Sequence, residues 1–68
     1  MMTQKDMVID FIKENGSITT WQAITELGIT RLASRIADIE RDGHEIQRER
    51  VTRKNKYGKT TSYTRYWF

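Results

Sequence analysis

A chain of 68 residues is long enough for one small domain with a limited apolar core. It contains no cysteine, which excludes disulfides and thiolate metal sites, and no apolar run long enough to span a bilayer. The net charge is +3, and the start of the chain carries acids where a signal peptide carries basic and apolar residues. These features predict a soluble, cytoplasmic protein with a single domain over residues 1–68.

The first predicted helix covers residues 4–14. Thr3 and Asp6 form a capping-box pattern at its start, and apolar residues follow at helical spacing. Gly16 and the asparagine before it tolerate the left-handed conformation and are expected to end the helix. Residues 17–19 are then expected to form a short extended connector.

Two further helices follow, separated by a glycine turn. Thr20 is expected to cap a second helix of about two turns, whose inward face consists of Ala23, Ile24 and Leu27. Gly28 accepts a positive φ at little cost, which predicts a tight turn and a steep crossing angle. Thr30 is expected to cap a third helix over residues 31–42, which ends at Gly43. Its buried stripe, at helical spacing, consists of Ile29, Leu32, Ile36 and Ile39.

The C-terminal third of the chain is predicted to be a β-hairpin. The segments HEIQRERVT and TTSYTRYWF are rich in β-branched and aromatic residues and flank a polar segment, RKNKYGK. One possible register places Arg48 opposite Arg65, which is repulsive. The favoured register pairs Glu49 with Arg65, Val51 with Tyr63 and Ile46 with Phe68. It leaves residues 55–59 as the loop.

Charge and aromatic residues distinguish this hairpin from the rest of the chain. Residues 1–46 hold five basic and eight acidic side chains, whereas residues 47–68 hold seven basic side chains and one acidic side chain. A polyanion is therefore expected to meet the hairpin. Tyr63 and Trp67 lie on one face and are expected to stay partly exposed, and Tyr57 is expected to pack within the loop. The aromatic residues expected in the core or at its margin are Trp21, Tyr66 and Phe68.

The order of elements is that of an α+β winged helix-turn-helix domain. The segment WQAITELGITRLASRIADIERDGHEI resembles the helix-turn-helix core of small winged-helix DNA-binding proteins. The matching positions are Ala23 in the first of its two helices, the turn at residues 27–30, Ile36 and Ile39 in the recognition helix, and Gly43 before the wing. The chain is particularly similar to short proteins of bacteriophages and mobile elements, over essentially its whole length.

The resemblance implies sequence-specific binding of double-stranded DNA, with the third helix in the major groove and the wing on the backbone or minor groove. The helix face opposite the apolar stripe is expected to carry Arg31, Ser34, Arg35 and Asp38. The predicted DNA contacts of this helix are Thr30, Arg31, Ser34 and Arg35. Those of the wing are Arg53, Lys54, Asn55, Lys56 and Lys59. Asp38 and Asp42 are expected to be ion-pair partners.

No enzyme activity is predicted. His44 has no cysteine or second histidine to form a metal or nucleophilic site with, and no glycine-rich phosphate motif is present. No cofactor, small-molecule substrate or membrane partner is expected. The chain is expected to be a small transcriptional regulator or an excisionase-like factor, acting as a homodimer or a cooperative array on DNA. The alternative is a protein-interaction module, such as a phage-type inhibitor, that uses the winged surface.

Overall fold

The computed structural model describes residues 2–68, which form three helices and one antiparallel sheet. The elements are α1 (Gln4–Asn15), β1 (Ile18–Thr19), α2 (Thr20–Leu27), α3 (Leu32–Arg41), β2 (Gln47–Lys54) and β3 (Thr60–Trp67). The strand order is β1-β3-β2, so the predicted connector is a short edge strand beside the hairpin. The predicted α+β class is confirmed. Within the described residues, no helix is long and apolar enough to cross a membrane.

Capping boxes define the starts of α1 and α2. The Thr3 hydroxyl accepts a hydrogen bond from the Asp6 N–H, and the Asp6 carboxylate accepts one from the Thr3 N–H. Thr19 and Gln22 make the same pair of hydrogen bonds at the start of α2. The predicted cap at Thr20 is therefore wrong by one residue. A capping box needs an acceptor side chain three positions after the threonine, and Thr20 has none there.

A glycine turn joins α2 to α3, as predicted. Gly28 has φ +68°, in the left-handed region. Its N–H donates to the Ile24 carbonyl at 3.1 Å, and the Ile29 N–H donates to the Ala23 carbonyl at 2.8 Å. These bonds satisfy carbonyls at the end of α2 while the chain changes direction.

The start of α3 has no side-chain cap. Its N-cap is Arg31, and no side chain makes a capping hydrogen bond there. The prediction that Thr30 caps this helix is wrong, because a threonine caps only from the N-cap position and Thr30 lies one residue earlier. The Ser34 N–H donates to the Arg31 carbonyl at 3.1 Å, which leaves the Leu32 and Ala33 amides as the uncapped donors of the first turn.

The core lies between the three helices and the inner face of the sheet. It consists of Val8, Ile12, Ile18, Ala23, Ile29, Leu32, Ile36, Ile39, Ile46 and Tyr66. The whole predicted stripe of α3 is buried. Ile24, expected on the inward face of α2, is 38 % exposed. Of the aromatic residues expected in the core or at its margin, Trp21 is 65 % exposed and Phe68 is 41 % exposed. Ile24 and Trp21 lie about 100° and about 160° around α2 from the buried Ala23, and Phe68 follows the end of β3.

The hairpin adopts the favoured register. Glu49 lies opposite Arg65, Val51 lies opposite Tyr63, and the strands stop at Lys54 and Thr60. The loop over residues 55–59 is therefore confirmed. The ladder ends at the pair of Gln47 and Trp67, one step short of the predicted pair of Ile46 and Phe68. Tyr63 and Trp67 are half-buried, in agreement with the expected partial exposure.

Candidate nucleic-acid interface

The predicted outward face of α3 is only partly correct. Arg31 is exposed, but Ser34, Arg35 and Asp38 are half-buried. Arg35 lies about 40° from Ile39 and about 60° from Leu32 around the helix axis, so it borders the buried stripe. The side chains exposed along α3 are Ala33, Ala37, Glu40 and Arg41. The exposed surface of this helix is therefore alanine over its first two turns and charged at its end.

Arg35 sits on the flank of α3 that faces the start of α1. Its Nη2 lies 3.4 Å from Oδ2 of Asp38, whose Oδ1 lies 3.4 Å from Nη1 of Arg41. Arg35 also lines a cavity of about 320 Å³ together with Thr3 and Lys5 of the α1 start. Its Nε is buried and has no hydrogen-bond partner among residues 2–68. Arg35 is therefore less available to a ligand than Arg31.

Both carboxylates of α3 form ion pairs, and so does the carboxylate of Asp42, the residue that follows the helix. Asp38 pairs with Arg35 and Arg41, Glu40 with Arg48, and Asp42 with Lys5. The prediction that Asp38 and Asp42 are ion-pair partners is confirmed. A phosphate approaching α3 meets less repulsion than the count of acids implies, because each negative charge has a positive neighbour.

The pair of Lys5 and Asp42 joins α1 to the end of α3. The hydrogen bond and the charge of Lys5 hold the pKa of Asp42 below its ordinary value, and Asp42 raises the pKa of Lys5. The pair is lost only when the pH falls through the lowered pKa of Asp42 or rises through the raised pKa of Lys5. It therefore stays ionised throughout the neutral range.

The sheet sorts the basic residues of the hairpin onto two faces. Arg48 lies on the core face, where it pairs with Glu40 of α3. Side chains alternate along a strand, so Arg50 and Lys54 project from the same face as Arg48. Arg53 projects from the other face. The wing thus presents basic side chains both toward the side of α3 and away from it.

Arg50 was not predicted as a site residue. It is exposed on the face that Arg48 turns toward α3, and its Nη2 lies 2.9 Å from the Ser62 hydroxyl. The alternation from Arg48 to Lys54 is visible in the sequence. The sequence does not say which of the two faces of the hairpin lies toward α3. The contact of Arg48 with α3 identifies that face, and Arg50 lies on it.

The wing loop is shaped by Asn55. Its Oδ1 accepts hydrogen bonds from the Tyr57 N–H at 2.9 Å and from the Lys59 N–H at 3.1 Å. This role leaves only the side-chain NH₂ of Asn55 for a ligand. Tyr57, predicted to pack within the loop, is instead 77 % exposed, and Lys56 Nζ lies 5.2 Å from its ring centroid. The loop therefore presents an aromatic ring among lysines.

Unpaired charge is segregated in the folded chain. Within residues 2–68, the basic side chains outside any ion pair are Lys13, Arg31, Arg50, Arg53, Lys54, Lys56 and Lys59. All but Lys13 lie at the start of α3 or on the hairpin. The acids outside any ion pair in this part of the chain are Asp6, Asp10, Glu14, Glu26 and Glu45. Four of these acids lie on α1 and α2. The helical body, α1 and α2, therefore carries most of the unpaired negative charge, and the wing carries most of the unpaired positive charge.

A family model described as the winged helix-turn-helix domain matches residues 3–68. The chain belongs to this family. In this winged helix-turn-helix domain, α2, the Gly28 turn and α3 form the helix-turn-helix, and β2 and β3 form the wing. The family supports DNA binding in general and is typically non-enzymatic. No curated protein and no solved structure gives a significant match. No group of three or more His, Cys, Asp or Glu among the described residues is placed to hold a metal ion.

Proposed function

We propose that this winged helix-turn-helix domain binds double-stranded DNA sequence-specifically in the cytoplasm, as a small transcriptional regulator or excisionase-like factor of the bacteriophage or mobile-element type. In this proposal α3 enters the major groove and the wing follows the backbone or the minor groove. One observation carries the proposal. Of the seven basic side chains outside ion pairs in residues 2–68, six lie at the start of α3 or on the wing.

The start of α3 supplies the sequence preference in this proposal. The Leu32 and Ala33 amides and the Thr30 hydroxyl make no hydrogen bond within residues 2–68, and they can donate to a phosphate at the positive end of the helix dipole. Arg31 can reach a guanine edge, and Ser34 can contact a base or a phosphate. Arg35 reaches a base only by separating from Asp38, so its contribution to base recognition is smaller than that of Arg31.

The wing supplies affinity that does not depend on sequence. Neutralising a phosphate releases counterions whatever the neighbouring bases are. The side chains that do this in the proposal are Arg50, Arg53, Lys54, Lys56 and Lys59. Asn55 holds the loop that presents them and offers its NH₂ group to the backbone. Two copies on adjacent half-sites, as a homodimer or a cooperative array, would add the specificity that one short helix lacks.

A salt titration of binding tests the role of the wing. Changing both Lys54 and Lys56 to Ala is expected to lower affinity on every duplex, because phosphate contacts are lost. It should also make the log-log salt slope shallower by about 2, near 0.9 per contact. Lys13→Ala is the control, since Lys13 is also outside any ion pair but lies on α1. Unchanged slope and affinity in the double variant would overturn the wing assignment.

The cognate duplex for this titration comes from selection of bound sites in random DNA at one fixed salt concentration. Enrichment of a common motif supports sequence-specific binding. Uniformly weak binding without enrichment would contradict it, and would favour the alternative of a protein-interaction module that uses the winged surface.

A further inference from the structure

The proposed DNA interface leaves one apolar surface unused. A groove of about 200 Å³ lies between α1 and the end of α2, lined by Met2, Met7, Asp10, Phe11, Glu14 and Leu27. Its floor is apolar, and its rim carries two carboxylates, of Asp10 and Glu14, that form no ion pair with any residue in 2–68. A groove of this composition suits an apolar group that carries positive charge beside it.

The groove and α3 lie on opposite flanks of α1. Lys5 marks the flank toward α3, because it pairs with Asp42. Met7 lies about 160° around the helix axis from Lys5. DNA is not a suitable occupant of the groove, since the rim acids would repel phosphate. The groove therefore stays accessible on a face that the proposed DNA complex does not cover.

The tip of the wing has the complementary chemistry. Tyr57 is 77 % exposed there, and Lys56 Nζ lies 5.2 Å from its ring centroid. Lys54 and Lys59 flank the same loop. All side chains from residue 52 to residue 62 are exposed, so this part of the hairpin extends beyond the helical body. The molecule measures 41 × 22 × 20 Å, and a second copy can receive the projecting tip.

We propose that the wing tip of one copy docks into the α1–α2 groove of a second copy, with the Tyr57 ring on the apolar floor and the lysines against Asp10 and Glu14. A symmetric contact between two grooves is disfavoured, because it would bring their four rim carboxylates together. The contact therefore joins two different surfaces, the wing tip of one copy and the groove of the other. The docked tip uses lysines assigned to phosphate contacts, so docking and DNA binding exclude each other for the copy whose tip is docked; this last point rests on the proposed function.

Sedimentation velocity over a range of protein concentrations tests the docking. The parent chain is expected to self-associate at about 50 mM NaCl and to lose most of this association at about 300 mM, where charges are screened. Glu14→Lys and Lys56→Glu should each weaken self-association at least about tenfold, which is about 1.4 kcal/mol. The variant that carries both changes should regain self-association, because positions 14 and 56 again carry opposite charges, with the signs exchanged.

Glu45→Lys is the matched control. Glu45 is an exposed acid outside any ion pair in the described chain and does not line the groove, so this variant should associate like the parent. A parent that stays monomeric at every concentration, association that does not fall with salt, or equal losses in the Glu14 and Glu45 variants would each overturn the docking.

Failure of the proposed function is distinguished by adding DNA to the same experiment. Self-association that responds to Glu14→Lys but persists in excess duplex would support docking and contradict the role of the wing in DNA binding.

Discussion

Gly28 fixes the turn of the helix-turn-helix through its backbone conformation alone. Its φ is +68°, and a Cβ added at this position would meet no atom within 4 Å. Gly28→Val is expected to lower the free energy of unfolding by about 1 to 3 kcal/mol, because a β-branched residue is strained in the left-handed region. Gly28→Asn should lower it less, since asparagine visits this region more readily. Denaturant unfolding of the three proteins checks this, and a valine variant as stable as the parent would contradict it.

Arg31 and Arg35 are expected to differ in what they contribute to DNA recognition. Arg31→Ala should weaken binding to the cognate duplex by about 1 to 3 kcal/mol and relax the preference at one or two base positions. Arg35→Ala should have a smaller effect, because a base contact from Arg35 first requires separation from Asp38. Competition titrations with single-base variants of the cognate duplex measure both effects. A larger loss of specificity from Arg35→Ala would reverse the assignment.

At the scale of the element, the start of α2 depends on which of two adjacent threonines caps it. Thr19 makes the capping box with Gln22, and Thr20 is the first residue of the helix. Thr19→Ala is therefore expected to lower the free energy of unfolding by about 1 kcal/mol. Thr20→Ala is the control and should change it by no more than about 0.5 kcal/mol. Denaturant midpoints of the two variants decide the matter, and a larger effect at Thr20 would show that the cap is misassigned.

The elements themselves were largely predictable because their signals are local. The stripe of α3 follows the helical period, and cross-strand charge pairs distinguish two hairpin registers. Even the true cap of α2 has a local signal, since Gln22 stands three positions after Thr19. The helical period also places Arg35 at the border of the α3 stripe, about 40° from Ile39, but it does not say what covers that border. A residue on the flank of a helix is buried or exposed according to what packs beside it, and here that neighbour is α1.

At the scale of the whole molecule, the charge imbalance along the chain was visible in the sequence, but its distribution in space was not. Lys5 and Asp42 are separated by 37 positions and meet only because α1 packs against α3. The pair of Glu40 and Arg48 likewise depends on how the hairpin joins the helices. These contacts determine which acids remain unpaired. Arg50 was overlooked for the same reason, since its face is defined by the contact of Arg48.

The separation of unpaired acids from unpaired bases also gives the molecule an electric dipole, directed from the helical body toward the hairpin. In the field of a duplex, such a dipole turns the hairpin toward the DNA before contact is made. The first encounter would then form through the hairpin, and α3 would enter the groove in a later step. Added salt would mainly slow association, whereas the lifetime of the bound complex would depend on the base contacts of α3. The hairpin would set how quickly a site is found, and α3 how long it is occupied.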